Sequence, residues 1–245
     1  MAYHGLVDLR LASATRFWSS ITEKEFIRIL EASPGLQTLS FALEITNPSP
    51  DNTPVMPVVL SDLEELEVST LQQCGPTLQL GSILRLIAPG SKPLRLRLQD
   101  IPQEGPQLKM VQGFFKRSNL ERLYVATAYP PMKELLSYIP NLTALVYDQC
   151  YDPENLDLPN PPSDNSIHNF FWELWEMKDC VLALSDFHSI IQQYPNGKPL
   201  LAGCDISRRS GEKVPDEELL ATFPTVDFTD LDNDPFLPHR WVPLD

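Results

Sequence analysis

The sequence predicts an α/β leucine-rich-repeat solenoid, a horseshoe of irregular repeats with a parallel sheet on its concave face. Three observations predict this fold class. An L-x-x-L-x-L pattern recurs at intervals of 30, 27, 30, 27 and 22 residues. Its last two apolar positions are separated by one residue, polar in every copy but the last, which is the period of a strand with one buried face. Segments with helical periodicity lie between the copies, so each small unit is expected to stack on its neighbours.

Six copies of the pattern predict six strands in chain order. Five copies carry all three apolar positions, and one has Pro93 in place of the first leucine. The copies are Leu6-Leu9-Leu11, Leu36-Leu39-Phe41, Leu63-Leu66-Val68, Pro93-Leu96-Leu98 (with Leu94 inside it), Leu120-Leu123-Val125 and Leu142-Leu145-Tyr147.

Four helices are predicted between these strands. The first begins at the capping box Thr22-Glu23-Lys24-Glu25, and the last is opened by Pro131 and closed by Pro140. The apolar faces of the four helices, in chain order, are Phe26, Ile27, Ile29 and Leu30; Ile83, Leu84, Leu86 and Ile87; Leu108, Val111, Phe114 and Phe115; and Leu135, Leu136 and Ile139.

A doubly wound α/β domain is the competing fold, because it also alternates strands and helices. Its strands are covered by helices on both sides and are apolar on both faces. The strands here place Arg10, Glu67 and Arg97 between leucines, so one face of the sheet is expected to contact water. This pattern favours the solenoid.

The repeat pattern loosens after residue 150. We expect leucine-rich repeats over residues 1–150, a loop rich in Pro, Asp and Asn over 151–166, degenerate repeats over 167–228 and an acidic tail over 229–245. Trp172 and Trp175 lie three residues apart, which predicts a shared helical face. Further strands are predicted over 178–184, 199–206 and 225–228, with helices over 185–194 and 217–222.

The charge of the chain is concentrated in its second part. Residues 1–147 carry 14 acidic and 13 basic side chains, whereas residues 148–245 carry 19 and 6, so most of the net charge of −14 lies there. Such an acidic region repels phosphate backbones, so nucleic acid is not expected as a partner. No apolar run is long enough to span a membrane, and no signal peptide is recognisable. An intracellular protein, cytoplasmic or nuclear, is therefore expected, with Cys74, Cys150, Cys180 and Cys204 as reduced thiols.

The sequence contains no recognisable catalytic or cofactor motif. Glycine-rich phosphate loops and the G-x-S-x-G elbow are absent, and the four histidines are scattered. Residues 230–234 resemble the start of a calcium loop, but the glycine and glutamate that an EF-hand needs are replaced by Pro235 and Trp241. We expect that the chain is not an enzyme and that it binds no cofactor or metal. A hydrolase remains an alternative only if the structure gathers carboxylates or histidines in a closed pocket.

The exposed face of the predicted sheet offers candidate partner-binding residues. The residue between the last two apolar positions forms one column across the strands: Arg10, Ser40, Glu67, Arg97, Tyr124 and Val146. The next column is Ala12, Ala42, Ser69, Gln99, Ala126 and Asp148. Tyr and Arg are common binding anchors. The predicted site is therefore Arg10, Glu67, Arg97, Tyr124 and Asp148, with simple solvated positions as the alternative.

Several stretches resemble the leucine-rich-repeat region of fungal (basidiomycete) F-box-like proteins. They are residues 36–41, 60–66, 84–94 and 140–145, and the likeness covers about residues 5–150. In that family an F-box module grips a Skp-type adaptor of a cullin ubiquitin ligase, and the repeats hold the substrate.

The resemblance implies a non-catalytic module that recognises a protein substrate on its concave face. The first predicted strand begins at about residue 5, which leaves no room for an F-box, so an adaptor is expected only if an F-box is encoded upstream. The alternative is a stand-alone repeat scaffold with no ubiquitin link.

Overall fold

A nine-stranded parallel sheet is the central element of the fold. The computed structural model describes residues 5–12, 19–50, 53, 55–69, 80–99, 101–126, 132–148, 174–178, 180–193, 199–202 and 204–229. Its elements, in chain order, are β1 (Asp8–Ala12), β2 (Ser20–Thr22), α1 (Glu23–Glu31), β3 (Thr38–Ala42), β4 (Glu44–Thr46), β5 (Val58–Leu60), β6 (Glu65–Val68), α2 (Leu80–Leu84), β7 (Ile87–Pro89), β8 (Leu94–Gln99), α3 (Gly105–Arg117), β9 (Leu120–Ala126), α4 (Met132–Leu136), β10 (Ala144–Asp148), β11 (Leu174–Lys178), β12 (Val181–Ala183), α5 (Leu184–Gln193), β13 (Pro199–Ala202), β14 (Asp205–Ser207), α6 (Asp216–Thr222) and β15 (Asp227–Thr229).

The strands of the sheet follow the order of the chain. The order is β1-β3-β6-β8-β9-β10-β11-β13-β15, and each pair of neighbours is parallel. A doubly wound sheet reverses its strand order at a switch point, and this sheet does not. Three two-stranded parallel sheets, β2-β4, β5-β7 and β12-β14, lie outside it.

The six predicted strands are confirmed, and their leucines build the core. The middle apolar position of every copy is at most 4% exposed, and neighbouring copies align in register: Leu9, Leu39, Leu66, Leu96, Leu123 and Leu145. Burying one such side chain is worth about 1.5–3 kcal/mol. The strands therefore hold together through one continuous row of leucines.

The helices pack on the buried side of these strands and agree with the prediction in part. The α1 capping box is present, because Thr22 Oγ1 accepts from the Glu25 amide and the Glu25 carboxylate accepts from the Thr22 amide. Phe26 of α1 packs its ring against Phe41 of β3, with ring centroids 4.7 Å apart. The α3 helix buries its predicted apolar face.

The predicted helix through Ile87 is wrong at its end. α2 stops at Leu84, and Ile87 begins strand β7 instead. The reason lies in the neighbouring unit, because the Leu86 carbonyl accepts a hydrogen bond from the Val58 amide and so continues the β5-β7 ladder. Similarly, α4 ends at Leu136, and Ile139 lies beyond the helix, although its side chain is buried.

The C-terminal half differs more from the prediction. Trp175 lies in strand β11, in register with Leu145, so the helical face proposed for it is wrong; Trp172 lies outside the described residues. Each strand predicted over 178–184 and 199–206 is divided between two sheets, because β11 and β13 join the large sheet while β12 and β14 pair with each other. The two helices predicted there are confirmed as α5 and α6, and β15 matches the last strand.

Several expectations concern residues that the structure does not describe. The loop over 151–166 and the tail from residue 230 are among them, as are Cys74 and Cys150. Of the remaining two cysteines, Cys180 is buried and Cys204 half-buried, and neither forms a disulfide with another described residue.

Candidate functional site

The predicted column of exposed positions is present on one face of the sheet. Arg10, Ser40, Glu67, Arg97, Tyr124 and Val146 are register partners from β1 to β10. Their side chains are exposed or half-buried, whereas nearly every residue on either side of them along the strands is buried. In the next column, Gln99, Ala126 and Asp148 are also in register. This side of the sheet is called the polar face below.

Five side chains of the polar face form a connected series of contacts, called the polar row: Ser40, Glu67, Arg97, Tyr124 and Asp148. Ser40 Oγ donates to Glu67 Oε2 at 3.2 Å, and Arg97 Nε lies 3.7 Å from Glu67 Oε1. The Arg97 guanidinium carbon lies 4.3 Å from the centre of the Tyr124 ring. The Tyr124 hydroxyl donates to Asp148 Oδ2. The row thus crosses the five adjacent strands β3, β6, β8, β9 and β10.

The polar row combines an ordered arrangement with access to solvent. The side chains of Glu67 and Arg97 are 25% and 24% exposed, so each retains surface that a partner can contact. Arg97 is held between a carboxylate and an aromatic ring, which limits the rotamers available to it. A partner would therefore meet donors, acceptors and a flat ring in fixed positions, which lowers the entropy cost of binding.

Arg10 is the predicted site residue that the structure does not bring into the row. It lies on β1, the first strand of the sheet, and its guanidinium pairs with Asp8 of the same strand at 3.3 Å. Both side chains are largely exposed, at 43% and 52%. The other four predicted residues, Glu67, Arg97, Tyr124 and Asp148, are brought together.

A second series of charged residues on the polar face was missed by the sequence prediction. Glu65, Arg95 and Arg122 are register partners on β6, β8 and β9. Arg95 Nη1 lies 3.3 Å from Glu65 Oε1. These residues stand two positions before Glu67, Arg97 and Tyr124, so the period of two along each strand was the signal that could have found them.

A different polar cluster is buried on the helix side of the molecule. Glu23 at the start of α1 accepts hydrogen bonds from the Ser49 amide at 3.0 Å and from Ser49 Oγ at 2.5 Å. Arg85 Nη2 lies 3.0 Å from Glu23 Oε2 and also donates to the Ser49 carbonyl at 2.6 Å. We call Glu23, Ser49 and Arg85 the buried ion cluster. No sequence motif predicted it, because Glu23 and Arg85 are 62 residues apart.

The environment of Glu23 keeps it ionised. Burial alone would raise the pKa of Glu23, but the hydrogen bonds from Ser49 and Arg85 and the charge of Arg85 outweigh it and hold that pKa below its ordinary value. An open cavity of about 410 Å³ lies beside it, between α1 and residues 47–49. Both oxygens of Glu23 are used within the chain, so this carboxylate serves the fold.

Across the described ranges, no helix is long and apolar enough to cross a membrane. In the same part of the chain, no group of three or more His, Cys, Asp or Glu side chains is placed to hold a metal ion.

Comparison of the sequence with protein-family models gave no match, and comparison with curated proteins gave none either. The polar face itself is therefore the feature that bears on function.

Proposed function

We propose that the chain is a leucine-rich-repeat solenoid that acts as a non-catalytic protein-interaction module, with its parallel sheet on the concave face. The chain-order sheet supports this fold, because stacked strand–helix units place consecutive strands side by side. The recurring leucines in register support it as well, because each unit contributes the same apolar positions to a shared core.

The observation that carries the binding function is the polar row. Four of its members, Glu67, Arg97, Tyr124 and Asp148, come from four consecutive strands and contact one another in series. Tyr and Arg are enriched among residues that dominate binding energies. An ordered, partly exposed surface of this kind suits an extended segment of a partner protein that lies across the strands.

The role proposed for the module is substrate recognition like that of the repeats of an F-box protein in a cullin-type ubiquitin ligase, inside the cell. This step rests on the resemblance of the repeat sequences, and a Skp-type adaptor enters only with an F-box encoded upstream. A stand-alone scaffold would use the same face without the ligase.

Affinity purification of the tagged protein, expressed from its native locus, tests the proposal when mass spectrometry identifies the captured proteins. The variant Arg97→Ala/Tyr124→Ala should lose specific partners and keep a melting temperature near that of the wild type, because both side chains lie on the polar face. Arg209→Ala, in the exposed turn after β14, is the control and should capture the same partners.

The captured proteins distinguish the ligase role from the scaffold role, and the double variant tests the polar row. Recovery of a Skp-type adaptor and a cullin supports the ligase role, and recovery of specific partners without them supports the scaffold. Unchanged capture by the double variant contradicts the assignment of binding to the polar row. A large fall in its melting temperature would mean that the row serves stability.

A further inference from the structure

Three guanidinium groups lie on two neighbouring strands of the polar face. Arg95 and Arg97 come from β8 and Arg122 from β9, and Arg95 and Arg122 are register partners. Adjacent strands are about 4.8 Å apart, so two cations in register face each other closely. Like charges placed in this way repel each other.

The carboxylates of the sheet compensate two of these three charges. Arg95 pairs with Glu65 at 3.3 Å, and Arg97 lies beside Glu67 at 3.7 Å. Arg122 is exposed and makes no ion pair with any residue of the described ranges. Among the described residues, one positive charge therefore has no counter-charge in the middle of the polar face, in a chain whose net charge is −14.

We propose that Arg122, together with Arg95, binds a carboxylate side chain of an acidic segment of the protein partner. This inference rests on the proposed function and names the chemistry of the partner. A carboxylate placed between two guanidinium groups in register accepts hydrogen bonds from both and removes the repulsion between them. Tyr124 lies two residues after Arg122 on the same strand and the same face, so a neighbouring side chain of the segment would reach its ring.

The surroundings favour a peptide carboxylate over a nucleic-acid backbone. Glu65 and Glu67 flank the arginines on β6, and Asp148 flanks them on β10. A polyanion that runs across these strands would meet these carboxylates as well as the arginines, in a protein that is strongly acidic overall. One or two acidic side chains fit the local charge, and a continuous row of phosphates does not.

Fluorescence anisotropy with a short labelled serine-rich peptide that contains two glutamates tests the inference. The wild type should bind this probe at low ionic strength in spite of its net negative charge, and added salt should weaken binding. Arg122→Gln should weaken it about tenfold, which is typical for the loss of a charge-assisted hydrogen bond, and Arg122→Glu should abolish it. Arg209→Glu makes the same charge change in the exposed turn after β14 and should bind like the wild type.

Several results would overturn the inference. The inference fails if the wild type does not bind the peptide. It also fails if Arg122→Glu binds the peptide as tightly as the wild type does, or if Arg209→Glu loses as much affinity as Arg122→Glu. Binding of a labelled oligothymidine that Arg122→Glu abolishes would assign the site to phosphate instead.

The proposed function is tested separately. Suppose that Arg122→Glu captures the native partners with the same efficiency as the wild type, while Arg97→Ala/Tyr124→Ala loses them. The proposed interaction module is then supported, and the proposed acidic partner is contradicted. If Arg97→Ala/Tyr124→Ala also captures the native partners normally, the proposed function is contradicted whatever Arg122→Glu does.

Discussion

The buried ion cluster and the polar row are built from the same kinds of contact on opposite sides of the sheet. Both join elements that are distant in sequence, and both combine a carboxylate, a guanidinium and a hydroxyl group. In the buried ion cluster, the side chains of Glu23 and Arg85 are 7% and 10% exposed. In the polar row, Glu67 and Arg97 are about a quarter exposed.

This difference in exposure separates a structural network from a recognition surface. A buried ion pair is costly to form and more costly to break, because removing one partner leaves a charge without water or counter-ion. A partly exposed network costs little to disturb, since water replaces the lost contacts. The cluster should therefore govern stability, and the row should govern binding.

The largest expected effect is the loss of stability when the buried ion cluster is disrupted. Arg85→Met keeps much of the side-chain volume but leaves Glu23 buried without its counter-ion, which should lower the free energy of unfolding by about 3 kcal/mol or more. Urea denaturation followed by circular dichroism measures it. The matched variant Arg97→Met on the polar face should cost less than about 1 kcal/mol.

The double variant Glu23→Gln/Arg85→Met keeps this prediction testable if Arg85→Met fails to fold. It contains no unpaired charge and should recover part of the lost stability. Equal losses in Arg85→Met and Arg97→Met would mean that exposure does not distinguish the two networks.

A smaller effect is expected from the pH dependence of the cluster. Since the pKa of Glu23 is lowered in the folded protein, its contribution is complete above the unfolded pKa of about 4.3 and is lost as the pH falls through the folded value. Glu23→Gln should therefore be about 2 kcal/mol less stable than the wild type near pH 7. The difference should shrink in acid, as urea titrations at a series of pH values would show. A difference that stays constant down to pH 3 would contradict the ionised state of Glu23.

The predictability of the two networks from sequence also differs, for a physical reason. The polar row follows from a local pattern, because the period of two that buries Leu66, Leu96 and Leu123 also directs Glu67, Arg97 and Tyr124 to the opposite face. Nothing local marks Arg85 as the partner of Glu23, since their contact depends on how α1 packs near the residues that follow α2. The network that sequence reasoning found is the one encoded within single strands.

The errors in secondary structure have the same origin. Local spacing predicts helices at Ile87 and Trp175, yet each lies in a strand whose partner comes from a neighbouring unit, Val58 for Ile87 and Leu145 for Trp175. Apolar spacing over short segments does not separate strand from helix when strand pairing decides the outcome. The elements after residue 150 are harder to delimit from the sequence because they lack the regular leucine pattern.

A still smaller effect on stability is expected for Tyr124→Phe. This change removes the hydrogen bond to Asp148 but keeps the ring under Arg97, so the free energy of unfolding should fall by less than about 1 kcal/mol. If the ring is the anchor, partner capture should persist in Tyr124→Phe and be lost in Tyr124→Ala, measured side by side by affinity purification. Equal loss in both variants would assign the binding energy to the hydroxyl and Asp148.

The smallest effect is expected at Arg10, which shares the column but lies outside the polar row. Its pairing with Asp8 is exposed and within one strand, so Arg10→Ala should change the free energy of unfolding by less than about 0.5 kcal/mol. Capture should also be unchanged, because no contact joins this residue to Glu67 or Arg97 through the described part of the sheet face. Loss of partners in Arg10→Ala, at unchanged stability, would extend the recognition surface to the edge strand. It would mean that residues bind because they are exposed on the polar face, and not because they belong to the polar row.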